Sequence, residues 1–385
     1  MRLYQAMDAV LTYMNQRLPA MIDWIRELVE IESPTRDPKA VNRAVEYVAD
    51  YVSGFADVQR FPQSDLGDHL RIEFQLPRAT KDRQVLGLGH LDTVYPHGTL
   101  DKMPFKQEGG RLRGPGVFDM KSGVAYMIFA AEALRDLDIG PHRRFVVQLN
   151  SDEEIGSPSS RPLTEREAQA SEAVLVTEGS VGLDGRVKTG RKGGGTFVIS
   201  ARGKASHSGL DFEAGASAIV EVARQIDRVA AWTDIEAGIT VNPGVVHGGT
   251  VSNVVAENAY TEVDVRVPKL GQAALLEEQF RRIEPFDSRV EVTVDGGLRR
   301  PPMERTADVE RLYRIAQRLA GELGVELGEA QVGGGSDGNF TAAIGTPTLD
   351  GLGSVGEGAH AIHESILVDR MADRAALLAK LVAAI

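Results

Sequence analysis

The sequence predicts an α/β protein of two domains, one inserted into the other, and three observations predict it. The chain has 385 residues, more than the roughly 250–300 at which a single hydrophobic core stops growing. Through its first half, short and almost wholly apolar runs alternate with helical segments, the pattern of buried strands in a helix-covered sheet. From about residue 190 the order becomes strand, helix, strand, strand, helix, strand, the split pattern of a small ferredoxin-like unit. Apolar residues make up 42% and charged residues 25%, which excludes a disordered, collagen-like or coiled-coil chain.

Each element follows from local pattern. Ile22, Ile25, Leu28 and Val29 recur at helical spacing, and Ser33-Pro34 forbids continuation of that helix. A second helix is expected around Val41 to Val52. HLRIEF, RQVLGLG, RRFVVQL and EAVLVT read as strands, with a helix from about Lys121 to Leu137 between the second and third. The inserted part reads as GGTFVISARG, a helix near Ala214 to Ala230, GITVNPGVVHGG, AYTEVDVRV, a helix near Gln272 to Ile283, and RVEVTVDG. After Arg299-Arg300-Pro301-Pro302 the chain resumes helix, strand, loop and helix. The expected organisation is a discontinuous α/β/α domain, residues 1–189 and 301–385, with a mostly parallel mixed sheet. Residues 190–300 form the inserted α+β domain.

Lysine and arginine total 43 against 55 acidic residues, a net charge of −12, so neither nucleic acid nor an anionic membrane is the expected partner. With no cysteine, disulfides, thiolate nucleophiles and cysteine-held zinc are all excluded. Any metal must be held by His, Asp or Glu. The N-terminus carries Asp8 and no sustained apolar run, unlike a signal peptide. The longest apolar stretch, GVAYMIFAA from Gly123, is far shorter than the ~20 residues that span a bilayer. A soluble, cytoplasmic protein is expected.

Polar residues follow the apolar runs at regular places. His90 and Asp92 come after RQVLGLG, Glu153 and Glu154 after RRFVVQLN, Glu178 after EAVLVT, and His360 in the loop beyond PTLDGLG. Asp119 stands in GPGVFDMKSG, just before a helix. In open α/β sheets ligands bind beyond the carboxyl ends of strands, so these side chains can converge on one crevice. Imidazole and carboxylate suit zinc, with cobalt or manganese as replacements. Two ions about 3.5–4 Å apart need a bridging carboxylate, and Asp119 flanked by one His and one Glu for each ion fits that count. Asp92 suits the role of orienting His90 through its second ring nitrogen. Adjacent residues such as Glu153 and Glu154 point to different sides, so one can bind metal while the other moves a proton.

The same residues admit other readings. Asp119 taken alone is a helix cap, and Glu153-Glu154 a solvated turn. GLGSVG fits a dinucleotide fingerprint but no helix follows, GPGVFDMKSG lacks the glycine a phosphate loop needs before Lys121, and no G-x-S-x-G elbow occurs. His363 competes with His360, and Arg299 with Arg300.

The segments GHLDTVYP, GPGVFDMKSG, SDEEIGS, VTEGS and GAHAIHE, in this order, resemble the co-catalytic zinc metallopeptidases of the aminoacylase and glutamate carboxypeptidase (carboxypeptidase G) type. The resemblance implies that His90, Asp119 and Glu178 hold one metal ion and Asp119, Glu154 and His360 the other, with a hydroxide between them and Glu153 as general base. The GAH-x-x-x-E pattern, completed by Glu364, favours His360. Glu at position 178 is similar to the carboxypeptidase and succinyl-diaminopimelate branches, and the bond after Asp119 is expected to be cis. GKASHSG resembles the family's lid motif, which implies that His207 reaches the active site, commonly across a dimer, and polarises the scissile carbonyl. Asn253 and Arg300 match positions that bind a substrate's terminal carboxylate, with Arg266 and Lys192 as weaker candidates. The implied activity is hydrolysis of an amide or peptide bond next to a C-terminal, carboxylate-bearing residue. An N-acyl-amino-acid deacylase with the same centre, or a non-catalytic peptide-binding relative, are the alternatives. The implied substrate is a small peptide or N-acyl amino acid, and the inserted domain is expected to mediate a homodimer.

Overall fold

The computed structural model describes residues 8–77 and 81–385; the first seven residues of the N-terminal reading lie outside the described residues. The chain forms two compact units. The first comprises Met1–Thr189, Arg305–Gln331 and Ser336–Ile385, the second Gly190–Glu304 with Val332–Gly335.

In the first unit, helix Ala9–Glu30 starts where the Asp8 side chain accepts the N–H groups of Val10 and Leu11 at 2.9 and 3.2 Å. The next helix, Pro38–Val52, begins earlier than the apolar pattern indicates, because Asp37 caps it and Pro38 suits a first helical turn. The central sheet has six strands in the order Ala56–Phe61, His69–Phe74, Arg143–Asn150, Lys81–His90, Ser171–Val176 and Thr348–Leu349. The first two pairings are antiparallel and the remaining three parallel, a mostly parallel sheet with an antiparallel margin.

Strand pleating sorts the side chains between the two faces. Phe145, Val147, Leu149 and Leu175 join one large core with helices Ala9–Glu30, Ser122–Asp136, Ala307–Glu322 and Met371–Ala384. Leu86, Leu88, Val146, Val174 and Val176 pack on the other side with Ala168 of helix Arg161–Gln169. Both faces are therefore covered, and the carboxyl ends of the parallel strands are left to carry polar groups. A small antiparallel sheet orders Gly356–Glu357, Ser365–Leu367, Arg111–Arg113 and Lys106–Glu108 side by side. It ties the loop containing His360 to the segment leading into Asp119.

The second unit is a four-stranded antiparallel sheet, ordered Thr240–Gly248, Asn258–Val267, Gly193–Arg202 and Glu291–Arg300, with helices Ala218–Ala230 and Leu270–Arg281. This is the ferredoxin-like order the sequence predicts. The first helix starts at Ala218, four residues late, because Ser217 caps it and Phe212–Ala214 forms a separate short turn. Phe197, Val263, Val265, Leu276 and Phe280 make its core, with the two Phe rings stacked at 3.8 Å between centroids. Among the described residues no helix is long and apolar enough to cross a membrane.

Candidate metal centre

The parallel strands deliver the first ligand candidates. His90 is the last residue of Lys81–His90, Glu153 and Glu154 open a single short turn just beyond Arg143–Asn150, and Glu178 follows Ser171–Val176. Asp119 lies in the irregular turn Val117–Lys121 before helix Ser122–Asp136, and the Asp119–Met120 peptide is cis.

Asp119 stands between two clusters. One of its oxygens lies 3.2 Å from His90 Nε2, which is 3.7 Å from Glu178. The other lies 3.2 Å from His360 Nε2, which is also 3.2 Å from Glu154. His90, Asp119 and Glu154 offer ligand atoms within 4.8 Å of one another, as do His90, Glu153 and Glu178. Imidazole nitrogens and carboxylate oxygens at such spacing form a donor set for borderline divalent cations. It is His360, and not the exposed His363, that meets Asp119 and Glu154. His360 takes a left-handed backbone, φ 62°, a conformation that costs a non-glycine residue about 1–3 kcal/mol and concentrates at functional sites.

The electrostatics carry the same message. Hydrogen bonds to Asp119 and then Glu154 raise the half-exposed His360 imidazole to about 10. Burial works against protonation of His90, yet bonds to Asp119 and Asp92 raise it well above the ordinary imidazole value. Burial opposes ionisation of Asp119 as well, but His360 and His90 hold it far below the carboxylate range. The cluster is a surplus of negative charge that calls for cations.

Asp92 braces this set. It is buried, its backbone carbonyl lies 3.0 Å from His90 Nδ1 and its carboxylate 3.4 Å away. With Nδ1 donating there, Nε2 is the nitrogen turned toward Asp119 and Glu178, the one on which a metal ion would replace a proton. The same carboxylate accepts the N–H groups of Glu153 and Glu154, each at 3.2 Å, and the Thr35 hydroxyl at 2.8 Å. His69, the first residue of the expected strand HLRIEF, is buried, and its Nδ1 accepts the Ser151 N–H at 3.2 Å. Burial lowers its pKa, in keeping with a neutral acceptor. Behind Glu178, a Cβ on Gly123 would lie 1.9 Å from the Thr177 carbonyl oxygen, and one on Gly353 would lie 2.1 Å from it. Glycine alone permits the helix and the late loop to close on this strand end.

In the sequence Glu364 does no more than complete the GAH-x-x-x-E pattern. It is buried, and accepts hydrogen bonds from the N–H groups of Gly116, Phe118 and Asp119 at 3.0, 2.7 and 2.9 Å and from the Tyr95 hydroxyl at 2.6 Å. Burial pushes its carboxyl up to about 6 while these donors pull it down. At neutral pH it is the four-fold acceptor the geometry requires. Its partners are mostly backbone, which no side-chain motif records.

The remaining candidates belong to the second unit, and its sheet divides them. His207 and Asn253 lie together beyond one end: His207 pairs with Val254, and Ser208 N–H donates to the Asn253 carbonyl at 3.0 Å. Both side chains are exposed, and His207 Nδ1 accepts the N–H groups of Gly209 and Leu210 at 3.1 and 3.2 Å. Lys192, Arg266 and Arg300 gather at the other end, with Gly194 in register between Arg266 and Arg300. The Arg266 guanidinium holds Asp264, two residues along the same polar strand face, through two bonds of 2.9 and 2.8 Å. At ~3.3 Å per residue the ten-residue strand Gly193–Arg202 separates these two groups by roughly 30 Å.

Comparison with known proteins matches residues 87–384 to the model for Peptidase family M20/M25/M40. The chain is 31% identical to carboxypeptidase G2 of Pseudomonas sp. (strain RS-16), covering 89% of this chain and 83% of that one. Among solved structures, aminopeptidase PepT of Bacillus cereus superposes with a TM-score of 0.81 at 20% identity, covering 95% of this chain and 98% of that one. A Bacillus subtilis protein described as a dinuclear metal binding peptidase gives 0.72 at 15% identity, covering 96% and 98%. At such identities the structural likenesses speak to the fold, the discontinuous catalytic unit with its inserted one. The family match over most of the length, and the identity to carboxypeptidase G2, carry the relationship further: this chain belongs to peptidase family M20/M25/M40 and is a metallo-hydrolase.

Proposed function

We propose that the protein is a two-metal carboxypeptidase or amidohydrolase, cleaving an amide bond next to a C-terminal residue that bears a carboxylate. The observation that carries this reading is the division of Asp119, with one oxygen toward His90 and Glu178 and the other toward His360 and Glu154. His90, Asp119 and Glu178 would hold one divalent ion, and Asp119, Glu154 and His360 the other. Zinc suits the donors best, and cobalt or manganese would be accepted. When bound, such ions polarise a carbonyl oxygen and ease the deprotonation of water.

The protein's own residues do the rest. Glu153, its backbone pinned to Asp92, takes the proton from the attacking water and returns it to the leaving nitrogen. Asp92 keeps the His90 tautomer. Arg300, with Arg266 and Lys192 as lesser candidates, would receive the substrate's carboxylate, for which a guanidinium offers paired donors, and Asn253, which lies with His207 at the far end of the sheet, would join them from a second copy. His207 would polarise the scissile carbonyl.

The 30 Å division of the second unit supports a homodimer in which His207 serves the site of a second copy, since one sheet cannot bring its two ends to one substrate. The edge strand Thr240–Gly248 supports the same reading. Its outer side has no neighbour in the sheet among the described residues, and it exposes Val245 and Val246, a template for pairing with another copy.

Metal content measured with activity in the Glu153→Ala variant tests the mechanism: ions retained and a loss of ~10²–10⁴-fold are expected, and full activity would sink it. A panel of dipeptides, N-acyl-glutamates and folate-like amides separates the carboxypeptidase from an N-acyl-amino-acid deacylase. Tight dipeptide binding without turnover under added zinc, cobalt or manganese would instead mark a non-catalytic relative.

A further inference from the structure

We infer that Glu364 is a positioning residue for the metal centre, which locks the Asp119 turn and the His360 loop into one clamp. The inference rests on the two-ion reading given above. Its ground is geometric. One Glu364 oxygen accepts the N–H groups of Phe118 and Asp119, and the other accepts Gly116 N–H and the Tyr95 hydroxyl. Three backbone donors of a single turn thus converge on one buried carboxylate, whose charge strengthens each bond. The turn they come from has no regular helix or sheet to hold it, and Asp119 lies at φ −120° within it. Without an acceptor the buried Gly116 N–H and the half-buried Phe118 and Asp119 N–H groups would lose their partner, at a penalty that displaces the turn.

The same residue is joined to the second histidine. Glu364 lies four positions after His360 and one before the strand Ser365–Leu367, which pairs with Arg111–Arg113. Tyr95 closes the arrangement, because its hydroxyl also meets the Ala361 carbonyl at 3.1 Å. Asp119 and His360 therefore share one anchor. Moving it shifts both of the groups that meet around His360 Nε2, whereas His90 is braced separately by Asp92. The expected effect is unequal, larger for the ion held by Asp119, Glu154 and His360 than for the ion beside His90.

The test compares full-length wild type, Glu364→Gln and Tyr95→Phe, titrating Zn²⁺ against a chromophoric chelator and recording the visible spectrum with Co²⁺. Glu364→Gln keeps the shape but removes one acceptor oxygen. Tyr95→Phe leaves the carboxylate and its three backbone bonds in place. We expect Glu364→Gln to weaken the second ion by ~10–100-fold with an altered Co²⁺ band, and Tyr95→Phe to shift it a few-fold in the same direction. Melting of the metal-free proteins accompanies these titrations. A Glu364→Gln protein that melts lower yet binds both ions with wild-type affinity and spectrum would overturn the inference, reducing Glu364 to a support of the fold. Wild type binding only one ion, or none, would overturn the two-ion reading itself and the inference with it.

Discussion

In the first unit the candidate ligands are braced by protein groups before any substrate arrives: Asp92 behind His90 and the two glutamates, Glu364 behind the Asp119 turn. In the second unit His207 and Asn253 stand exposed at one end of a sheet while Lys192, Arg266 and Arg300 stand at the other. The difference separates two kinds of site. A metal centre must hold like charges a few ångströms apart, so every ligand needs its own support and the whole device fits inside one unit. Substrate contacts carry no such requirement and can be left for a second copy or a ligand to complete.

The largest expected effect removes the shared element of the first unit. Asp119→Ala is expected to release both ions and to cut activity by on the order of 10³-fold or more, since groups that act as a unit fail together. Retention of two ions by that variant, measured by atomic absorption, would break the contrast at its stronger side. Next comes the second unit. His207→Ala and Glu153→Ala are each expected to fall by at least ~10²-fold, and co-expression of the two is expected to regain activity through mixed dimers. No recovery in verified mixed dimers would place His207 in its own chain's site or in none.

The smallest effect concerns acid stability and again favours the first unit. Burial opposes ionisation of Glu167, but Gln84 and then Arg71 hold its pKa below the ordinary value of 4.5. Glu73 is likewise lowered, burial being outweighed by Arg71 and Arg144. A depressed carboxylate stabilises the fold above its unfolded value, and that contribution disappears as pH falls through the lower folded value. Melting temperature should therefore drop below pH 4.5, less steeply in Glu167→Gln; an identical profile would deny the pair this role.

Much of the first unit was legible in the sequence because its strands are buried on both faces, so RRFVVQL and EAVLVT announce themselves and the polar residue after each marks a strand end. That placement made His90, Glu153, Glu154 and Glu178 candidates, and the other motifs were needed to set them above a solvated turn. Asp119 and His360 needed the ordered motifs, since neither follows a long strand. Glu364 and Tyr95 lie in the motif segments, but their role carried no readable signal, because what they bind is mostly the backbone of a turn and each other. In the second unit the element order was readable, but the separation of His207 from Arg300 was not. It follows from register, which period-two patterns fix only after pairing is known. The return of Val332–Gly335 to the second unit was equally hidden, resting on a Lys192 N–H bond to the Val332 carbonyl and on Arg191 reaching the carbonyls of Gly334 and Gly335.

The length of strand Gly193–Arg202 has a further consequence. If its two ends serve two different active sites, catalysis becomes a property of the pair and obeys mass action. Specific activity would then fall on dilution below the dimer's dissociation constant, a concentration set by strand edges and apolar side chains far from the metal, and high substrate would postpone that fall by holding two chains at once.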